Sequence, residues 1–140
     1  MIENDIKSDL ERITGLSAYY LALPSNHLEG IVYQRISDPK MFTGLAKSKL
    51  VQARFQVTIQ LIDDYKKALL LIDKIRDEWE SIEHGYIGNY PVQNVERSNL
   101  WQDMEEQTDN RKIYRVGRDF ILTYAERMQN EKSSRSERIK

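Results

Sequence analysis

The residues that could carry out acid–base or metal chemistry are few and scattered along the chain. His27 and His84 are the only histidines, and neither has a second ligand or acid–base group nearby in sequence. Asp63 and Asp64 could hold a divalent cation, but adjacent carboxylates before a helical pattern usually cap the first N–H groups of that helix. We therefore interpret the histidines as exposed loop residues and the two aspartates as a helix cap.

Other types of catalytic site lack the residues that they require. The chain contains no cysteine, which excludes disulfides, thiolate zinc sites and cysteine nucleophiles. The sequence contains no glycine-rich phosphate loop, no serine nucleophile elbow and no pair of catalytic acids. It therefore favours a protein that is not an enzyme and that uses no cofactor and no metal ion.

Two charged segments allow more than one interpretation. Asp103, Glu105, Glu106 and Asp109 cluster near a predicted turn, either as a solvated hairpin tip or as an electrostatic contact with a neighbouring subunit. The tail, residues 127–140, is polar and rich in Lys and Arg, and alone in solution it should be disordered. A basic arm could contact nucleic acid, but this one lacks interleaved aromatic residues, and the net charge of −1 gives no general basic field.

One long strand followed by a helix organises the predicted fold. Apolar residues occupy every second position from Val51 to Leu61, with Gln, Arg and Thr between them, as expected of a strand with one buried face. From Tyr65 to Ile82 the apolar residues recur with a helical period, and Gly85 is a plausible stop. Neither element can bury its apolar face alone, so the helix should fold back over the sheet.

The remaining elements complete a single predicted domain over residues 1–126. A first helix covers residues 2–14 and ends at Gly15. Further strands are predicted over 30–36, 95–105 and 113–124. Residues 16–23 could form a short helix or an irregular wall, residues 39–48 have no clear period, and residues 85–91 read as a turn or loop. This gives an α/β (α+β) domain in the order α-β-β-α-β-β, followed by the polar tail 127–140.

The order of these elements resembles the tail-terminator (tail-completion) proteins of long-tailed bacteriophages, including the related tail-to-head joining proteins. The resemblance covers most of the chain from Leu10 to Arg127 and lies in four stretches: GIVYQRISDP, VQARFQVTIQLI, DDYKKALLLIDKIRDEW and YRVGRDFILTYAER. The resemblance implies a mixed four-stranded sheet with both helices packed on one face. The tail after Arg127 has no counterpart in this pattern.

The resemblance also implies a function and a set of partners. Proteins of this family form a ring, six-fold here by analogy, that caps the finished tail tube, stops its polymerisation and provides the joint to the head connector. The implied partners are copies of the chain itself, the tail-tube protein and the head-tail connector proteins, with no membrane and no sequence-specific nucleic acid. The implied location is the bacterial host cytoplasm during assembly and then the head-tail junction of the virion.

A ring requires an arm or an edge that each subunit offers to its neighbour, because exposed strand edges pair readily with other chains. The long strand and the segment before it supply such an arm. We predict that the subunit or tube interface includes two apolar anchors and three basic residues: Met41, Phe42, Lys47, Lys49 and Arg54. A head-completion or connector-stopper protein is the alternative within assembly, and a small nucleic-acid-binding regulator is the alternative from another class.

Overall fold

The structure, a computed structural model, describes residues 1–43 and 46–126, and side chains within these ranges except those of residues 42–48. It is an α+β fold with two helices and a mixed, strongly curled seven-stranded sheet that forms a half-barrel. The α+β class is confirmed, but the prediction of four strands was wrong. The elements are α1 (Ile2–Thr14), β1 (Ala18–Tyr20), β2 (Gly30–Ser37), β3 (Lys40–Thr43), β4 (Ala46–Ile62), α2 (Tyr65–Glu80), β5 (Glu83–Ile87), β6 (Tyr90–Glu106) and β7 (Lys112–Ala125).

The sheet is built around β4, which is the long strand of the sequence prediction. Its strand order is β1-β2-β4-β7-β6-β5, and β3 pairs with β4 outside this path. The short β1 runs parallel to β2, and all other pairs are antiparallel. The predicted alternation is confirmed, because the alternate apolar residues from Val51 to Leu61 are all buried. The strand begins earlier than the alternation, at Ala46, because its first residues pair with β3.

The helix after β4 begins as predicted and ends earlier. Asp64 is its N-cap residue, and the Asp64 carboxylate accepts a hydrogen bond of 3.0 Å from the backbone N–H of Lys67. Asp63 has a different role, since its Oδ1 accepts from the N–H of Lys112 at 2.8 Å. The helix stops at Ser81, and the predicted stop, Gly85, lies instead within β5. Pairing of residues 83–87 with β6 therefore replaces the last predicted helical turn and the predicted loop.

Both helices pack on the same face of the sheet, as the resemblance implied. The apolar stripe of α1, from Ile2 to Ile13, and that of α2, from Ala68 to Trp79, join one buried core with the inward side chains of β4 and β7. The Trp79 ring packs edge-on against Phe120, with centroids 5.0 Å apart, and its Nε1 donates to the Asp9 carboxylate at 2.8 Å. Within the described residues, neither helix is long and apolar enough to cross a membrane.

The two tryptophans lie on opposite faces of the sheet. Trp79 is buried in the core, whereas Trp101 is only partly buried and lies on the face of the sheet opposite the helices. There it covers Gly117, its partner across the β6–β7 pair. Trp101 therefore belongs to the surface of the half-barrel that the helices leave uncovered.

Candidate subunit interface

A two-stranded hairpin extends from one end of the sheet. Its strands, Lys40–Thr43 and Ala46–Leu50, are called the arm below. Phe42 pairs with Lys47 and Thr43 with Ala46, with an irregularity in register between Lys40 and Phe42. The pairing of β2 with β4 stops at Arg54, and that of β7 with β4 stops at Leu50. The arm therefore lies beyond β2, and the described end of the β7 segment reaches it only at Leu50 and Lys49.

Four of the five predicted interface residues lie on the arm. Met41 is half-buried, and Lys49 is exposed while its carbonyl oxygen accepts from the N–H of Glu126 at 2.9 Å. Phe42 and Lys47 face each other in the hairpin register, and their side chains lie outside the described part. The sequence placed Met41 on an exposed segment without regular structure, whereas the structure gives it a strand and partial burial.

The fifth predicted residue, Arg54, lies away from the arm and is engaged within the chain. Its side chain is on the sheet face opposite the helices, where Nη1 donates to the Ser98 hydroxyl at 2.7 Å and lies 3.4 Å from the Asp119 carboxylate. Asp119 is buried, and its other oxygen has no hydrogen-bond partner among the described residues. Arg54 therefore connects β4 with β6 and β7 and does not lie beside Lys49.

Ser98 marks a bulge in β6 that is fixed from both faces of the sheet. The β6–β7 register shifts between Arg97 and Leu100. Arg54 reaches the Ser98 hydroxyl from one face, and Arg118 donates to the Ser98 carbonyl at 3.2 Å from the helix face. Burial lowers the pKa of Arg118, and the nearby cations Arg97 and Arg76 act in the same direction. A bulge bends its strand and increases its twist, so these contacts set the direction of the β6 end.

Beyond this bulge, residues Leu100–Glu106 form a strand end that we call the β6 edge. Among the described strands it pairs only with β7, because β5 reaches no further than Asn94. Asp103 and Glu105 lie 3.2 and 3.5 Å from the guanidinium of Arg115, and Glu106 is opposite Lys112. Three residues of the acidic cluster thus lie on an exposed strand edge, where Arg115 and Lys112 of β7 offset part of their charge. The fourth, Asp109, lies in the following turn, 2.6 Å from Arg111.

A groove of about 450 Å³ follows the face opposite the helices. Its lining combines amide, aromatic and apolar side chains, among them Leu23, Gln34, Gln56, Gln60, Trp101 and Arg115. Several of its polar groups bond one another: Gln34 donates to Gln56 at 3.3 Å and Arg115 to Gln60 at 3.0 Å. The groove is suited to hydrogen bonding and packing. In the sequence, the only indication of this groove was the polar face of β4, which carries no Asp or Glu.

The residues first considered for chemistry are not brought together. Exposed His27 lines the groove, with Nδ1 2.9 Å from the Asn26 side-chain oxygen, and exposed His84 lies in β5 instead of a loop. Within the described residues, no group of three or more His, Asp or Glu side chains could hold a metal ion. The candidate functional surfaces of the described chain are the arm, the β6 edge and the groove.

Comparison with known proteins agrees with the fold. The chain matches no protein-family model and no curated protein. One solved chain that carries no descriptive name is similar over 90% of this chain and 93% of its own length, with a TM-score of 0.50 and 7% identity. A chain from the structure named "Virion of native gene transfer agent (GTA) particle" is similar over 86% of this chain and 91% of its own, with a TM-score of 0.43 and 16% identity.

The first similarity concerns the fold alone. At 7% identity it supports the α+β fold with a curled mixed sheet and gives no information about function. The TM-score of 0.43 for the second supports no argument about this chain.

Proposed function

We propose that this protein is a structural component of a phage-like virion and acts there as a tail terminator. In this role, copies of the chain form a ring on the end of the completed tail tube, stop its polymerisation and provide the joint to the head connector. The observation that carries the proposal is the arm, which extends β4 beyond β2 and, within the described residues, past all of β7 except its last residue. The resemblance of the sequence to tail-terminator proteins selects this role among those open to an associating subunit.

The chemistry of the described surface favours association over catalysis. The arm combines the half-buried Met41 with exposed basic residues, a composition suited to a contact in which few residues supply most of the binding energy. The net charge of −1 also lets many copies assemble without strong mutual repulsion. We expect Met41, Phe42, Lys47 and Lys49 to contact a neighbour directly.

Deletion of the gene tests the role, because tail length separates the two assembly functions. Without a terminator the tube end stays open, and electron microscopy should show overlong tails that have not joined heads. Finished tails of normal length beside unjoined heads would instead indicate the head-side stopper. An unchanged population of joined particles would contradict both assembly roles.

Charge reversal on the arm tests the surface. We expect Lys40→Glu with Lys49→Glu to preserve the melting temperature and, when used to complement the deletion, to leave tails overlong. The matched control reverses two exposed lysines of α2, Lys66→Glu with Lys74→Glu, and should restore normal tails. Equal complementation by the two double variants would show that the arm is not the contact.

A further inference from the structure

Several strands have an open side within the described residues, among them β1 and β5 at the ends of the sheet, β3 beside β4, and β6 beyond Asn94. In the described part of the chain, β3 pairs only with β4. The β6 edge, Leu100–Glu106, likewise pairs only with β7. A strand with an open side presents unpaired N–H and C=O groups, which can form a ladder with another strand. The open sides of β3 and of the β6 edge differ from the others in lying on segments of opposite charge.

The two open sides face away from each other. Across the sheet, β3 lies on one side of β4, whereas β7 and then β6 lie on the other. They are also displaced along β4, because β3 begins opposite Val51 and Glu105 is aligned, through Ile113, with Ile62. Eleven residues of strand span about 36 Å. The arm and the β6 edge of one chain therefore cannot meet.

The charged residues are separated in the same way, with basic residues around β3 and acidic residues around the β6 edge. Between residues 39 and 62 the chain has four basic residues and no acidic one, and between 99 and 110 it has four acidic residues and no basic one. Arg115 and Lys112 offset part of the charge on the β6 edge, and Asp103, Glu105 and Glu106 remain exposed on it. The separation along the sheet exceeds the Debye length of about 8 Å at physiological salt. The basic and the acidic segment are therefore too far apart to attract each other strongly within one chain.

The β6 edge also offers apolar contact. Leu100 and Met104 are 42% and 51% exposed, on the same face as α2. Tyr65 of α2 lies beside them and donates its hydroxyl hydrogen to Gln102. On the opposing copy, Met41 follows Lys40 in β3. A strand added here would meet Asp103 and Glu105 on one face and Leu100 and Met104 on the other.

We propose that β3 of one copy pairs with the β6 edge of the next, so that the curled sheets of neighbouring subunits become continuous. This inference rests on the proposed function, since it identifies the contact that would build the ring. The contact is head-to-tail: each subunit gives its arm on one side and receives an arm on the other. Such contacts generate a closed ring when the rotation per subunit closes, whereas a contact between identical surfaces would stop at a dimer.

Cysteine crosslinking tests the contact with little interference, because the chain has no cysteine of its own. Lys40→Cys is combined, in the same chain, with a cysteine at each position from 100 to 105 in turn. Each variant is oxidised at a concentration where the parent chain assembles. A disulfide requires Cα atoms about 4.4–6.8 Å apart, so only directly paired positions should react. We expect ladders of crosslinked oligomers at alternate positions, because side chains alternate between the faces of a strand.

Two controls define the geometry. Each single-cysteine variant alone should give no crosslink, and a mixture of an arm variant with an edge variant should stop at dimers. Lys40→Cys with Asp77→Cys, which places the second thiol on an exposed position of α2, should give no ladder. Dimers from Lys40→Cys alone would show a two-fold contact and overturn the proposal.

The inference and the proposed function can fail separately. Assembly without a ladder at any of the six β6 positions would overturn the β3–β6 contact, and overlong tails on deletion would still support a terminator. Ladders of crosslinked oligomers, together with tails of normal length on deletion of the gene, would support the contact and contradict the terminator role. A parent chain that stays monomeric at every concentration, alone and with tail tubes, would overturn both.

Discussion

Gly117 is a position where a single methyl group should have a measurable effect. A Cβ atom built there lies 2.3 Å from both Cε2 and Nε1 of Trp101. Carbon atoms in favourable contact are about 3.5–4.0 Å apart, so the indole would have to move away by more than about 1.2 Å. Gly117→Ala should therefore displace Trp101 from the sheet.

The cost follows from the two opposing effects of the added methyl group. Overpacking a well-packed site costs about 1–3 kcal/mol of stability. Because Trp101 is partly exposed, its ring can move, and we expect a cost in the lower part of this range. Replacing glycine by alanine in a strand returns about 0.4–1 kcal/mol through the unfolded chain. We expect a net loss of about 1 kcal/mol and a fall in melting temperature of about 4 °C, together with a change in tryptophan fluorescence.

A double-mutant cycle separates this clash from other effects. In a Trp101→Ala background the ring is gone, and Gly117→Ala should become neutral or slightly stabilising. Gly85→Ala is the matched control, because its added Cβ would lie at an ordinary 3.4 Å from Ile82. If Gly117→Ala melts like the parent with unchanged fluorescence, Trp101 does not lie against the sheet. The same loss in both backgrounds would show that the cost has another origin.

Two further predictions concern the core. Phe55→Ala and Trp79→Ala remove fully buried rings. Each should lower the free energy of unfolding, measured in urea, by about 3–5 kcal/mol, which is a large part of the usual stability of a domain. Urea midpoints like that of the parent would contradict the packing of α2 on β4. Burial raises the pKa of Tyr124 to about 12, and Arg35 opposes this shift. In the unfolded chain the pKa of tyrosine is about 10. The stability that the shift supplies is therefore fully present below about pH 10 and is lost as the pH rises towards 12. Tyr124→Phe should therefore weaken the decline in stability over pH 10–12, and an unchanged decline would exclude this tyrosine as its source.

The elements that the sequence predicted correctly are those whose signal is local and repeated. The stripe from Ile2 to Ile13 and the alternation from Val51 to Leu61 each recur over several turns or pairs, so the burial pattern could be derived without knowing the partner. Asp64 was also identifiable, because capping depends on residues within one turn. The same periodicity located α1, α2, β2, β4 and β7 within a few residues.

The three missed strands depend on distant partners. The pairing of β1 with β2, of β3 with β4 and of β5 with β6 involves three to five residues each, too few for a period to show. Their sequences contain signals that favour other states: Gly85 lies within β5, Gly88 lies in the β5–β6 turn, and Pro39 precedes β3. Strand propensity is set largely by cross-strand neighbours, which a sequence does not display.

The position of Arg54 connects the centre of the sheet with the proposed contact at the β6 edge. From the sequence it was a cation on the polar face of a projecting strand. In the structure it holds Ser98 at the β6 bulge, together with Arg118 from the other face. The bulge is where β6 leaves its regular register with β7, and the β6 edge begins directly after it. Because a bulge redirects its strand, the angle at which an arriving arm would meet that edge depends on these two guanidinium groups. In a ring, that angle is repeated at every contact, so the proposed closure depends on a buried cross-strand contact as much as on the residues that would touch the neighbour.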